Sequence, residues 1–450
     1  MAYFMNTPED EQAMLAAIGV EQIESLFDSI PAELKLSRPL AIPEAMSEIE
    51  LTAHMQQLAA RNLAASNSLC FLGGGAYDHF VPAVVDSLAS RGEFYTSYTP
   101  YQPEVSQGNL QAMFEYQTLI CQLTGMDVSN ASLYDGASAT IEAVLMCRAV
   151  SRREKRVVVV GSLHPEYRQV LETYLVPLGC EVVVVEPSGE TVDVPAVAAQ
   201  LNAETACLVV QHPNFFGCLE DVSALSAACR EQGVLVVQVF DPTSLGVLKR
   251  PADLGADVAV AEGQCLGNPL QFGGPYLGIL ACKESFMRRM PGRIAGQTVS
   301  GTDRRCWVLT LQTREQHIRR DKATSNVCTN QGLFALRASI YLALMGKQGM
   351  RELGESCLRK AHHAQRQLVA AGWERRSDAP FFKEFVVRDP SRQIAERIQA
   401  GIEQGVLVGV DLGRWWPELS DSLLIAVTEK RTRSDIDRLV DVLALKAVGV

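Results

Sequence analysis

The chain has 450 residues, room for two or three domains and a sizeable core. Its 47% apolar and 21% charged residues are ordinary for a globular protein, and its net charge of −11 argues against a nucleic-acid binder that works by neutralising phosphates. No apolar run approaches the ~20 residues that span a bilayer, so no membrane partner is expected.

The twelve cysteines are scattered without a C-x-x-C pair. That predicts buried thiols (Cys121, Cys147, Cys207, Cys229) in a reducing compartment, with neither metal nor disulfides. The N-terminus MAYFMNTPEDEQ is acidic and lacks the parts of a signal peptide, so a cytoplasmic protein is expected.

Residues 1–60 form a helical lead-in. Thr7-Pro8-Glu9-Asp10 supplies an N-cap, a proline at the first helical position and early acids, and Pro39 and Pro43 precede a second helix. A large α/β domain is expected over 61–331. It opens on the glycine-rich turn Phe71–Tyr77, whose plain reading is a tight turn. The run from Glu93 to Glu104 holds Tyr95, Tyr98 and Tyr101 with two prolines and keeps neither strand nor helix period. Such a run suits a pocket or interface loop. A helix over Asn109–Thr124 stops at Gly125.

Ser132–Thr140 leads into a helix over Ile141–Ser151, where free N–H groups, with Ser138 or Thr140, would suit an anion. A capped core helix is the alternative. Five strand-like runs follow: Val157–Val160, Glu181–Val185, Cys207–Gln211, Val234–Phe240 and Asp257–Ala261, separated by helical segments. They predict βαβ units and a mostly parallel sheet. His164 and His212 fall at the carboxyl ends of strands, where ligands of open α/β sheets bind. His164 is the better placed to stack on a cofactor.

Asp241 ends one strand, and Glu262-Gly263-Gln264-Cys265 follows the next. An aspartate there suits the ring nitrogen of pyridoxal phosphate, and a lysine just after the second strand would form its Schiff base. Gln264 stands in that place and cannot form an imine.

Residues 286–331 are polar and rich in arginine without helical period, suited to carboxylates or phosphates. Lys322 lies in a polar loop rather than after a buried strand, so it is not expected to be a substitute imine former. A linking helix over Gly332–Met345 ends near Gly346 and opens the region 332–450. There a helix (Glu352–Ala371), three strands (Glu384–Val387, Val406–Val410, Leu423–Val427) and helices Ile394–Gln404 and Asp435–Ala444 predict a small α+β domain. It shows no motif that suggests chemistry.

The runs GAYDHFVPAVV (75–85), YTPYQPEVSQGNLQ (98–111), LTGMDVSNASLYDGASA (123–139) and LTLQTREQHIRRDKATSNVCTNQ (309–331) carry a resemblance. They resemble the N-terminal half of the P-protein family of glycine decarboxylases, a half that in many bacteria is a separate alpha subunit. The resemblance implies a fold-type I, pyridoxal-phosphate-transferase-like α/β architecture. It implies that the cofactor is anchored on the beta subunit and that the lysine is missing here for that reason. Implied partners are that beta subunit in an α2β2 assembly, the lipoylated H-protein and glycine, which is decarboxylated. Ser138, His164, Asp241 and Gln264 would then be a degenerate cofactor site. Tyr98, Tyr101 and Glu104 would reach the partner's active site, and Thr324, Ser325 and Asn326 its cofactor phosphate. Arg314 or Arg319 would face the acidic H-protein or the substrate carboxylate. A scaffold that only stabilises the beta subunit or docks the H-protein is the rival reading.

Overall fold

The structure, a computed structural model, describes residues 6–271 and 273–444. Packing divides the chain into Met1–Asn62 and Leu63–Val450. In the first unit, helices Pro8–Ile18 and Glu48–Ala59 each open on a reciprocal capping box, Thr7 with Asp10 and Ser47 with Glu50. The second helix therefore starts at Ser47 and not at Pro43, because the Ser/Glu pair satisfies end N–H groups that a proline cannot serve.

The second unit is built on a seven-stranded sheet. Its order is Val128–Ser129, Gly278–Cys282, Val258–Glu262, Leu235–Phe240, Thr205–His212, Arg156–Val160, Glu181–Val185. The last five run parallel and the first two antiparallel to their neighbours. The strand Gly278–Cys282 was not foreseen, since the glycine-rich stretch before it reads as loop. Both faces of the sheet are buried, as a parallel sheet requires. Val157 and Val159 face the cluster with Ile141, Val144 and Cys147 of the helix Gly136–Ser151. Val158 and Val160 face the opposite cluster, with Tyr116 and Ile120 of the helix Gln107–Thr124 and Tyr341 of the helix Gly332–Ala370.

That last helix is broken where the sequence predicts, because Gly346 takes φ 56° and ψ −171°. The segment 286–331, polar and without helical period, contains the antiparallel hairpin Ile294–Val299 with Arg305–Thr310. In the C-terminal region a four-stranded antiparallel sheet runs Glu374–Arg375, Glu384–Arg388, Ser422–Ala426, Val410–Asp411. The expected single strand over Val406–Val410 is two short ones, Val406–Leu407 and Val410–Asp411, parted by Gly409 with φ 149°. Val406–Leu407 pairs in parallel with Leu69–Cys70, so the chain joins this region before it enters the large sheet. Among the described residues, no helix is long and apolar enough to cross a membrane.

Candidate functional site

Residue pairing sets the parallel strand ends side by side: His212 stands opposite Phe240, and Asp241 and Pro242 follow it. Asp241, Glu262 and His164 converge on one pocket with Gly75, Tyr77 and Tyr167. The sequence expectation that the strand ends share one crevice holds. What fills the crevice differs from the expectation.

Lys383, immediately before the strand Glu384–Arg388, enters it from the C-terminal region. Its Nζ lies 2.8 Å from Asp241 Oδ2, and its side chain is 1% exposed. It also donates to Thr243 Oγ1 and faces His79 Nε2, both at 3.0 Å, and lies 3.5 Å from the Tyr77 ring centroid. Burial lowers the lysine's pKa and raises the aspartate's, but each is outweighed by the opposite charge. The lysine's pKa ends above its ordinary value and the aspartate's below, so the pair is charged. The C-terminal region, in which no motif suggests chemistry, thus supplies a charged side chain to the crevice. Lys383 and Glu384 interrupt an apolar run, FFKEFVV, where two adjacent charges at a strand start give no sign of a buried site.

His79 accepts from the Lys383 ammonium at Nε2, which assigns the ring proton to Nδ1, 2.6 Å from Glu429 Oε2. Cys357 completes a cluster whose ligand-type atoms lie within 4.8 Å of one another. The ammonium on one side of the ring and the shared proton on the other make it a hydrogen-bonded cluster.

Glu384 accepts from the Gly74 N–H and the Tyr77 hydroxyl, both at 2.7 Å. Burial pushes its carboxyl up to about 7. Glu262 accepts from the N–H groups of Gln264, Leu277 and Gly136 at 2.9–3.0 Å, yet burial pushes it up to about 8.

The predicted residues are spent on the chain itself. Gln264 accepts from the Tyr77 N–H at 2.8 Å and donates to the Tyr77 and Asn268 carbonyls at 3.1 and 2.7 Å. Its carboxamide pins the backbone of the loop after the glycine-rich turn. His164 caps the helix Pro165–Leu175 through Nδ1, which accepts from Glu166 N–H, while Nε2 lies 2.7 Å from the Gly74 carbonyl. That network makes it the Nε2–H tautomer, and burial lowers its pKa. Its ring stacks on Tyr167 at 4.6 Å between centroids, so the stacking partner is already present. His212 is likewise structural: burial lowers its pKa to about 4, and Nδ1 accepts from Glu220 N–H.

The helix that begins near Ser138 starts at Gly136, earlier than Ile141, with Asp135 as N-cap. Asp135 takes the Ser138 N–H at 2.7 Å, and Thr140 bonds the Gly136 carbonyl. With Glu262 on the Gly136 N–H, this helix start is occupied by two of the chain's own acids.

The outlying candidates lie apart from this pocket. Tyr98 is 95% exposed, and Glu104 is exposed. Tyr101 is fixed: its hydroxyl bonds Asn330 Oδ1 at 2.5 Å and Thr329 Oγ1 at 2.9 Å, and Arg293 lies 4.1 Å over its ring. Thr324, Ser325 and Asn326 line an open cavity of about 480 Å³ with Glu142 and Arg148. Arg314 bonds the Met290 and Gly292 carbonyls and so holds a turn, whereas Arg319 and Lys322 are exposed.

The central pocket does not fit a pyridoxal phosphate. Its free volume is about 30 Å³, against the roughly 300–1,000 Å³ of small-molecule sites. Gln264, just after the strand Val258–Glu262, is bonded to the Tyr77 backbone, and Lys383 already pairs with Asp241.

A family model for the glycine cleavage system P-protein matches residues 1–443. A chain of Carboxydothermus hydrogenoformans, named probable glycine dehydrogenase (decarboxylating) subunit 1, is 51% identical over 98% of this chain and 99% of its own. One of Desulforamulus reducens with the same name is 49% identical over 98% of both. A crystal structure of glycine decarboxylase (P-protein) of the glycine cleavage system, in inhibitor-bound form, superposes with TM-score 0.90 at 43% identity and covers 99% of both chains. A sphingosine-1-phosphate lyase of Burkholderia pseudomallei K96243 gives 0.66 at 17% identity, covering 92% of this chain and 93% of that one. A likeness that distant carries the fold alone. The expected fold-type I α/β architecture is thus found.

Proposed function

Because this chain belongs to the glycine cleavage system P-protein family, we propose that it is the half of a glycine decarboxylase that does not anchor pyridoxal phosphate. The observation that carries this reading is the closed pocket, with Gln264 at the imine position and Lys383 on Asp241. A chain whose own site is filled needs a second subunit that supplies lysine and cofactor. The assembly, α2β2 on this reading, takes glycine, releases CO2 and passes the aminomethyl carbon to the lipoyl arm of the H-protein. Its setting is the cytoplasm.

This chain's share is to shape the partner's site. Asn330, Thr329 and Arg293 brace Tyr101, and Ser106 and Gln107 bond the Thr99 and Pro103 carbonyls, so the loop from Tyr98 to Glu104 is held while the Tyr98 ring stays exposed. A rigid ring with a hydroxyl at its tip suits a pocket wall that excludes water and orients a carboxylate. Thr324, Ser325 and Asn326 offer hydroxyl and amide groups to the partner's cofactor phosphate. Their place on the lining of the open cavity supports this, although only Asn326 is exposed; the Glu142 carboxyl, bonded by Ser325, opposes it once ionised, its pKa being pushed up to about 7 by burial.

Glycine–bicarbonate exchange by the second subunit alone and with this chain tests the reading. Exchange that appears only with this chain, and falls when Tyr98 is replaced by alanine, is expected. Full exchange without this chain would leave a scaffold that stabilises its partner, a reading the filled pocket also favours.

A further inference from the structure

Lys383 lies in none of the runs that carry the family resemblance, yet its ammonium is fully coordinated. Its three N–H bonds meet three acceptors, Asp241 Oδ2, Thr243 Oγ1 and His79 Nε2. The Tyr77 face covers it at 3.5 Å from the centroid. A carboxylate for the charge, an aromatic face and neutral acceptors are what an organic cation asks of a site.

The walls do not depend on the lysine. Gln264 clamps the Tyr77 backbone, Glu384 holds the Tyr77 hydroxyl, Glu429 holds His79, and Thr243 fixes the free oxygen of Asp241. A site whose walls are braced separately keeps its shape when its occupant is removed.

We propose that the carboxyl end of the strand Leu235–Phe240 is an organic-cation site permanently filled by the chain's own Lys383. The lysine is a built-in ligand that answers Asp241 in place of a bound cationic ring and ties the C-terminal sheet to the large one. This shares the Lys383–Asp241 pair with the proposed function, but its test reads the stability of this chain alone, whereas that of the proposed function reads glycine–bicarbonate exchange.

Chemical rescue of the full-length chain tests it. Lys383→Ala removes the atoms that n-propylammonium supplies. The variant should melt several degrees below the wild type and regain about half or more of the loss as n-propylammonium is added, with saturation. Wild type and Lys383→Ala/Asp241→Asn should not respond. A flat titration of folded Lys383→Ala, or equal rescue of the double variant, overturns the proposal. If Lys383→Ala does not fold, Lys383→Met, Asp241→Asn and their combination decide it. A double variant that loses clearly less than the sum of the singles supports a coupled occupant and carboxylate, and additive losses refute it.

Discussion

The pocket at the strand ends and the rim formed by Tyr98–Glu104 and Thr324–Asn326 spend their polar groups in opposite ways. In the pocket, Asp241, Lys383, His164 and Glu262 are all bonded within the chain, as is Gln264 behind Tyr77, and the free space is about 30 Å³. On the rim, Tyr98 is 95% exposed, and about 480 Å³ lies open beside Thr324–Asn326. A fold that binds ligands at its strand ends has here turned that place into core. On the proposed reading, chemistry that involves this chain comes from surfaces it offers to a second subunit.

The contrast is broken most severely at Gly217. It has φ +84°, and a Cβ there would collide with the Glu384 carbonyl that sits across from it. Gly217→Ala should cost several kcal/mol in chemical denaturation, on the order of 4 or more, because the neighbour is backbone and cannot yield.

Glu384→Gln sharpens it through pH. The wild-type carboxyl is raised by burial from 4.5 to about 7, so the folded state holds a proton that the unfolded state has released. Stability present below about pH 4.5 is then lost as pH rises through about 7, by up to about 3 kcal/mol. Glutamine, neutral like the protonated acid, keeps an acceptor for the Gly74 N–H and turns its amide N–H toward Tyr77 Oη, reversing that bond. Urea midpoints of the variant should fall less steeply between pH 5 and 8 than those of the wild type, the remaining fall coming from Glu262 and Glu142, whose carboxyls burial raises to about 8 and about 7. Parallel curves would mean that Glu384 is ionised throughout.

Smaller effects belong to the rim. Tyr101→Phe removes the bonds to Asn330 and Thr329 and should cost about 1 kcal/mol by thermal melting. Tyr98→Ala should change the chain's own stability by less than about 0.5 kcal/mol. The same change should lower exchange by the assembled enzyme about tenfold or more, which separates interface from core.

The parallel sheet, the break at Gly346 and the crevice at Asp241 were legible because each has a local signature: β-branched runs, a glycine, a strand-end acid. The pairing of Gly278–Cys282 was not, since a short strand after glycines shows no period of its own. Lys383 was hidden for a physical reason. The adjacent Lys383 and Glu384 in FFKEFVV read as charges at a strand start, and only tertiary packing brings the lysine 2.8 Å from an aspartate 142 positions earlier in the chain. Gln264 was legible as an absence of lysine. Its positive role, pinning Tyr77 by two backbone bonds, depends on a loop 187 residues away.

The absorbance spectrum of the purified chain with pyridoxal phosphate, before and after borohydride, tests the central claim most directly. No internal-aldimine band and no reduced adduct should appear, because Lys383 is held on Asp241 and Gln264 cannot react. A reducible adduct at one lysine in the strand-end pocket would contradict the account and make the chain a cofactor-anchoring enzyme in its own right.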